Sequence, residues 1–336
     1  MAGEGGSGED NVIARLFAPI ATHPGALGLT DDAACLAVPP GHELVLTKDA
    51  LVAGVHFFPD DPPDSVARKA MRVNLSDLAA KGASPLGVLL AIAIPDGMDA
   101  AALAAFARGL GEDCKSYGAP LLGGDTVRTP GPLTISITAL GSVPAGQMVR
   151  RASAGAGQAI VVSGTIGDGA LGLALRLEPG RPGFAALSEE ARRHLNDRYL
   201  HPRPRLALAG ALRAHASAAM DVSDGLVGDL AKMLKASGVA GELDLARLPL
   251  SAAARAAIAA EPALLETAIT GGDDYEILAV MPQDRLDAFH TLATVAGIGV
   301  AVIGRTLDAG VAGERLTVRD AQGQPVTLAR TSFSHF

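Results

Sequence analysis

The sequence predicts a two-domain protein of mixed α/β class. Three observations predict it. The chain has 336 residues, more than one core of ordinary size needs. It is 49% hydrophobic and only 19% charged, which excludes a disordered chain. Apolar runs of strand length also alternate with stretches of helical period on both sides of a small, polar segment at 150–157.

The first ten residues are expected to be mobile, and a short amphipathic helix follows near 11–18. Residues 43–47 read as a strand. At 64–80, Val66, Ala70, Val73 and Leu78 recur near a period of 3.6, so a helix is expected, with Gly82 and Pro85 punctuating its end. The apolar run 87–94 is the next strand. Residues 99–117 form a second helix with Asp99 as N-cap, and 133–143 another strand. Past the 150–157 linker, strands are expected at 159–163, 219–222, 275–281 and 300–304. Helices are expected near 169–176, 203–214 and 225–237. The halves show no sequence repeat.

Composition narrows the function. A formal net charge of -8 argues against non-specific nucleic-acid binding, which needs a basic face. It leaves room for a nucleotide, since metal ions reconcile carboxylates with phosphates. The two cysteines, Cys35 and Cys114, form no zinc spacing and read as buried thiols in a reducing compartment. The acidic, Gly-rich N-terminus lacks the features of a signal peptide, and no apolar run reaches the roughly 20 residues of a membrane span. The expectation is a cytoplasmic protein with no membrane or nucleic-acid partner.

The most informative feature is a set of aspartates beside Gly, Ser or Thr. They are Asp31-Asp32, Thr47-Lys48-Asp49, Asn74 with Ser76-Asp77, Gly123-Gly124-Asp125, Asp221-Val222-Ser223-Asp224 and Gly272-Asp273-Asp274. Singly, each suits a cap or a turn. Several, however, follow directly on apolar strands, as in AAMDVSDG and HELVLTKD, where an ionised carboxylate needs a cation or donors. Hard oxygen ligands select Mg²⁺ or Ca²⁺ over zinc, and dispersed aspartates suit Mg²⁺ shared with phosphates.

The run 164–169 follows a strand and opens a helix, where backbone N–H groups can hold an anion. Its continuation to Gly172 matches G-x-G-x-x-G, which keeps a Rossmann-type NAD dehydrogenase as an alternative. With 40 glycines in the chain, chance matches are expected, and a Walker A motif is absent. Arg150 and Arg151 are candidates for phosphate pairing or a solvated basic pair. His56, between apolar residues, reads on its own as structural.

Taken in order, LTDDAACL, TKDALVAGVHF, VNLSDLAAKGASP, LLGGDTVR, VSGTIGDGALGL, HPRPR, MDVSDGLVGDL and TGGDDYEI resemble the thiamine-monophosphate kinase family. That family belongs to the aminoimidazole ribonucleotide synthetase-like ATP enzymes. The resemblance runs from about residue 11 to residue 336. It implies an N-terminal domain, 11–148, that binds ATP and Mg²⁺ and pairs its sheet across a homodimer, and a C-terminal α/β domain, 149–336. It implies several Mg²⁺ ions, ATP as co-substrate and thiamine monophosphate as acceptor. Asp32, Asp49, Asp77, Asp125 and Asp221 match the metal ligands, flanked by Thr47 and the main chain of Lys48, and Asp224 matches a further ion. Gly124, Asp125, Arg151 and Ser223 match ATP-contacting positions, and His56, Asp273 and Phe333 match positions that contact the acceptor.

Three positions depart from the family. Thr30 stands where Gly usually precedes the Asp pair, Lys48 stands for Thr, and Phe333 for a larger or hydroxylated aromatic. The implied reaction is direct in-line transfer of the γ-phosphoryl group with no acid/base residue. The alternative within the superfamily is another ATP-dependent enzyme. Cys35 lies in an apolar stretch unlike the reactive cysteine of a selenophosphate synthetase, and the chain ends Ser334-His335-Phe336 rather than in a cysteine tail.

Overall fold

The computed structural model describes residues 8–309 and 315–332. They form two compact units: the described residues up to Leu78 with Ser84–Gly146, and Ala79–Ala83 with the described residues from Gln147 onward.

The first unit carries the strands β1 (His42–Val52), β2 (Ser84–Pro95), β3 (Leu121–Thr129) and β4 (Thr134–Pro144), in the order β1-β4-β2-β3. β4 runs antiparallel to both of its neighbours, and β3 lies parallel to β2. No strand is expected from the sequence at 121–129, where Gly123-Gly124-Asp125 taken alone suits a cap or a turn, yet LLGGDTVRT forms β3. A Cβ on Gly124 would meet the Leu90 carbonyl oxygen at 1.7 Å, so β2 and β3 approach there too closely for any side chain. In place of one helix at 11–18 stand α1 (Gly8–Val12), a π turn (Ile13–Phe17) and short 3-10 turns reaching Leu29. Proline stands second in the first 3-10 segment, Ala18–Ile20, and first in the other, Pro24–Leu29, where its missing N–H does no harm.

Two longer helices complete the unit, α2 (Pro63–Ala80) and α3 (Ala100–Ser116). The predicted stripe of α2, Val66, Ala70, Val73 and Leu78, is buried, but so are Ala67, Met71 and Leu75. The helix is covered nearly all round. Past its first residue only Asp64, Arg68, Arg72 and Asp77 keep partial exposure. Arg68 and Arg72 donate to the buried Asp113 of α3, at 3.0 and 2.6 Å. Asp99 caps α3 as predicted, its Oδ1 accepting the Ala102 N–H at 2.8 Å. Cys114 is buried, and burial pushes its thiol up to about 12, which leaves it inert. Cys35 is exposed, contrary to expectation: the run around it forms no regular element and packs no core.

The second unit holds a six-stranded sheet of β5 (Ala159–Ser163), β6 (Ala218–Asp221), β7 (Ala240–Asp244), β8 (Ile277–Met281), β9 (Val300–Leu307) and β10 (Leu316–Arg319), ordered β10-β7-β9-β5-β8-β6. Around it lie α4 (Asp168–Leu177), α5 (Pro182–Ala185), α6 (Glu189–Leu200), α7 (Ala209–His215), α8 (Leu226–Ser237), α9 (Ala252–Ala260), α10 (Leu264–Thr270) and α11 (Leu286–Val295). Successive residues of β5 enter opposite cores. Ile160 and Val162 join Leu230, Met233 and Ile303, while Ala159 and Val161 join Leu212, Ala279 and Phe289. The α-helix expected at 203–214 begins only at Ala209, after a 3-10 turn at Leu206–Leu208, because Pro202 and Pro204 keep the chain before that turn out of a helix. The segment 150–157 belongs to this unit and is mostly exposed, with Ala154 buried and its N–H donating to Ser237 Oγ at 3.1 Å. Among the described residues no helix is long and apolar enough to cross a membrane.

Candidate functional site

In the first unit the predicted residues fall into two places. A cavity of about 630 Å³ is lined by Asp31, Asp32, Gly124 and Asp125 with Phe17 and Leu89. That volume is in the range of small-molecule sites. The Asp32 N–H donates to Asp31 Oδ1 at 2.8 Å, which fixes the pair. Thr30 stands at φ -108°, an ordinary angle, because the left-handed turn is carried by Leu27, Gly28 and Leu29 just before it. The missing glycine therefore costs the backbone nothing.

The second place lies between β1 and α2. The Thr47 hydroxyl donates to Asp77, and the Asp49 N–H donates to Asn74 Oδ1 at 2.9 Å. Strand alternation sets the exposed Lys48 side chain on the opposite face from Thr47 and Asp49. His56 lies in the turn after β1. Its Nδ1 accepts the Val52 N–H at 3.0 Å, which leaves Nε2 to carry the proton of the neutral ring. Beneath it the buried Lys69 donates to the His56 carbonyl at 3.0 Å.

In the second unit, Asp221 ends β6 and is buried, while Ser223 and Asp224 occupy the turn into α8. Both of those turn N–H groups donate to Asp229 Oδ2, at 3.0 and 2.9 Å. Lys232 donates to Asp224 at 2.5 Å and Asp229 at 2.9 Å. Burial pushes the Asp229 carboxyl above its usual range, although Lys232 and the turn N–H pull the other way. Asp273 stands half-buried at φ 63° between β8 and the preceding helix α10. Arg151 is exposed and accepts a bond from Ser237 through its carbonyl. Phe333 lies outside the described residues.

The glycine turn at 164–169 corrects two expectations. Its N–H groups hold no open anion site, because Asp274 fills it: Oδ2 accepts from Gly167 at 2.8 Å and Oδ1 from Gly169 at 3.1 Å. The strand before it, β5, runs antiparallel to both neighbours, β8 and β9, so the parallel βαβ unit of a dinucleotide fold is absent here. The dehydrogenase reading falls with it. Asp168, next in the turn, is fully buried. Burial opposes its charge, but bonds from His194, Ser251 and Thr165 hold its carboxyl below the usual range.

Sequence reasoning missed the partners: Asp229, Lys232, Asn74 as a backbone acceptor, and the charged cluster on Glu276. Asp229 and Lys232 sit at i and i+3 on α8, a spacing that was open to a reader of the sequence. Among the described residues no three His, Cys, Asp or Glu side chains stand together as a ready metal cage.

Comparison with known proteins bears on this arrangement. The chain matches the AIR synthase related protein N-terminal domain over residues 30–143 and the corresponding C-terminal domain over 155–316. It is 45% identical to a thiamine-monophosphate kinase of Caulobacter vibrioides over 96% of this chain and 89% of the relative. A crystal structure of thiamine-monophosphate kinase from Stenotrophomonas maltophilia K279a is 37% identical, with a TM-score of 0.81 over 94% of this chain and 96% of that one. AaThiL complexed with AMPPCP and TMP is 30% identical, with a TM-score of 0.76 over 91% of both chains.

Proposed function

Since this chain belongs to the thiamine-monophosphate kinase family, we propose that it transfers the γ-phosphoryl group of ATP to the phosphate of thiamine monophosphate, giving thiamine diphosphate and ADP. The observation that carries this reading is the relative that holds AMPPCP and TMP together and aligns over nearly the whole chain.

The acceptor needs no general base, since a phosphate oxygen is already anionic at neutral pH. The obstacle is repulsion between two phosphates, and in-line transfer requires that both be held and neutralised. The donor set fits Mg²⁺: Asp31, Asp32 and Asp125 share one cavity, and Asp77 is oriented by Thr47. Mg²⁺ takes one or two carboxylates and completes its sphere with water and substrate phosphate. When bound, Mg²⁺ would neutralise phosphate charge. In the first unit Asp32, Thr47, the Lys48 main chain, Asp49, Asp77 and Asp125 would hold it; in the second, Asp221 and Asp224. Gly124, Asp125, Arg151 and Ser223 would contact ATP. His56, through Nε2, would meet the acceptor together with Asp273 and Phe333. ATP and thiamine monophosphate fit a cytoplasmic setting.

The domain roles follow the same reading, with 11–148 binding nucleotide and pairing across a homodimer and 149–336 forming the C-terminal domain. Support for pairing is the uncovered apolar face of the first sheet, where Leu46 is 60% and Val127 47% exposed. Sedimentation equilibrium should give twice the chain mass. A one-chain mass at every concentration removes the dimer. For the reaction itself, purified protein with ATP, Mg²⁺ and thiamine monophosphate should yield equal amounts of thiamine diphosphate and ADP. ATP hydrolysis without thiamine diphosphate would overturn the assignment.

A further inference from the structure

Asp274 is 1% exposed and stands between two non-glycine residues with left-handed backbones, Asp273 at φ 63° and Tyr275 at φ 52°. Residues bearing a Cβ adopt such angles only where their surroundings over-determine them. Here the determinants come from two other loops. The Asp273 and Tyr275 N–H groups donate to the Ser223 and Val222 carbonyls, each at 2.9 Å. The Asp274 carboxyl takes the N–H groups of Gly167 and Gly169 at the start of α4. Both of its oxygens keep a lone pair for an N–H whether or not the group carries a proton.

The fit leaves no slack. A Cβ on Gly169 would meet the Asp273 carbonyl oxygen at 2.1 Å, and one on Gly272 would meet that of Ser223 at 2.2 Å. Three loops, 164–169, 222–225 and 271–276, thus close on one another with Asp274 at the centre.

We propose that Asp274 is a positioning residue that locks these three loops into one block, so that Asp273 and the Ser223–Asp224 turn are set in place together. The link to catalysis rests on the functional reading above, in which Asp273 faces the acceptor and Ser223 the nucleotide. Loss of Asp274 then weakens both ligands at once, whereas loss of Asp273 weakens only the acceptor.

Two variants test this. Asp274→Asn keeps one acceptor oxygen but turns an amide N–H₂ toward a glycine N–H. Asp274→Ala leaves a hole that formate can enter. In Asp274→Asn, amide hydrogen exchange should quicken in all three loops and stay unchanged across β5, β8 and α11. The apparent KM should rise about 10-fold for both thiamine monophosphate and ATP, the worth of one buried hydrogen bond. Formate, but not chloride, should restore part of the activity of Asp274→Ala, an effect a general loss of stability would not give. Exchange unchanged at 222–225, or a KM change confined to one ligand, overturns the proposal. If the unaltered protein makes no thiamine diphosphate, the functional reading fails instead, and the exchange data still decide whether Asp274 locks the loops.

Discussion

Asp125→Asn lowers the rate of thiamine diphosphate formation by at least about 100-fold, the scale of losing one electrostatic contact to a developing charge. The same change leaves the thermal midpoint within about 2 °C of the parent, as exposed substitutions do. The two halves of this expectation have different causes. Asp125 is exposed on β3 and lines the cavity, so an amide of nearly equal size packs as well. Only the charge goes, and with it the attraction for a cation carried by polyphosphate. Asp77→Asn should behave alike, because the asparagine oxygen can still accept the Thr47 hydroxyl. Product measured by chromatography beside melting by circular dichroism makes the comparison. Turnover within about threefold of the parent for both variants would remove the metal-holding role, since a lost ligand costs far more.

Glu276→Ala is expected to lose about 3–5 kcal/mol of stability, the usual result of breaking a buried ion pair from one side. For a domain of this size that lowers the midpoint by about 10 °C. Glu276 is fully buried immediately before β8. Arg198 donates to its Oε1 at 3.0 Å, Arg205 to its Oε2 at 2.7 Å, and the Ser163 hydroxyl to Oε2 at 2.6 Å. Burial pulls the Arg198 guanidinium below its usual value in spite of this partner. Truncation would strand two cations beside β5 and β8. Replacing Glu276, Arg198 and Arg205 together with methionine should be far less damaging than the single change, because no charge is then left unpaired. A triple variant as unstable as Glu276→Ala would mean that packing, and not charge, sets the cost.

The fold was legible where the signal is local. The helix Ala100–Ser116 announces itself by period and by the Asp99 cap. β3 did not, because two glycines read as a turn, and only its closeness to Leu90 explains why they belong in a strand. β7, AGELD, and β10, LTVR, are only half-buried and carry charged residues, whereas the equally short β5 and β8 are buried throughout and read as apolar runs. α9, with the sequence AAARAAIAA, offers little contrast between apolar and polar faces. In the site, aspartates beside small residues could be picked out by type. Their partners could not: the carboxyl that fills the 164–169 turn comes from 107 residues further along the chain. A glycine-rich turn signals an anion, and nothing local says that the anion is the protein's own.

Lys232 gives the Asp224 turn a property of its own. Its ammonium is already seated on Asp224 and Asp229, so the divalent ion proposed for Asp224 would enter by exchange and not by addition. The tethered amine is always at hand and spends no translational freedom to return. On the proposed reading the position would discriminate by the difference between two cations, and an ion that could not displace an amine on a short leash would leave the turn as it found it.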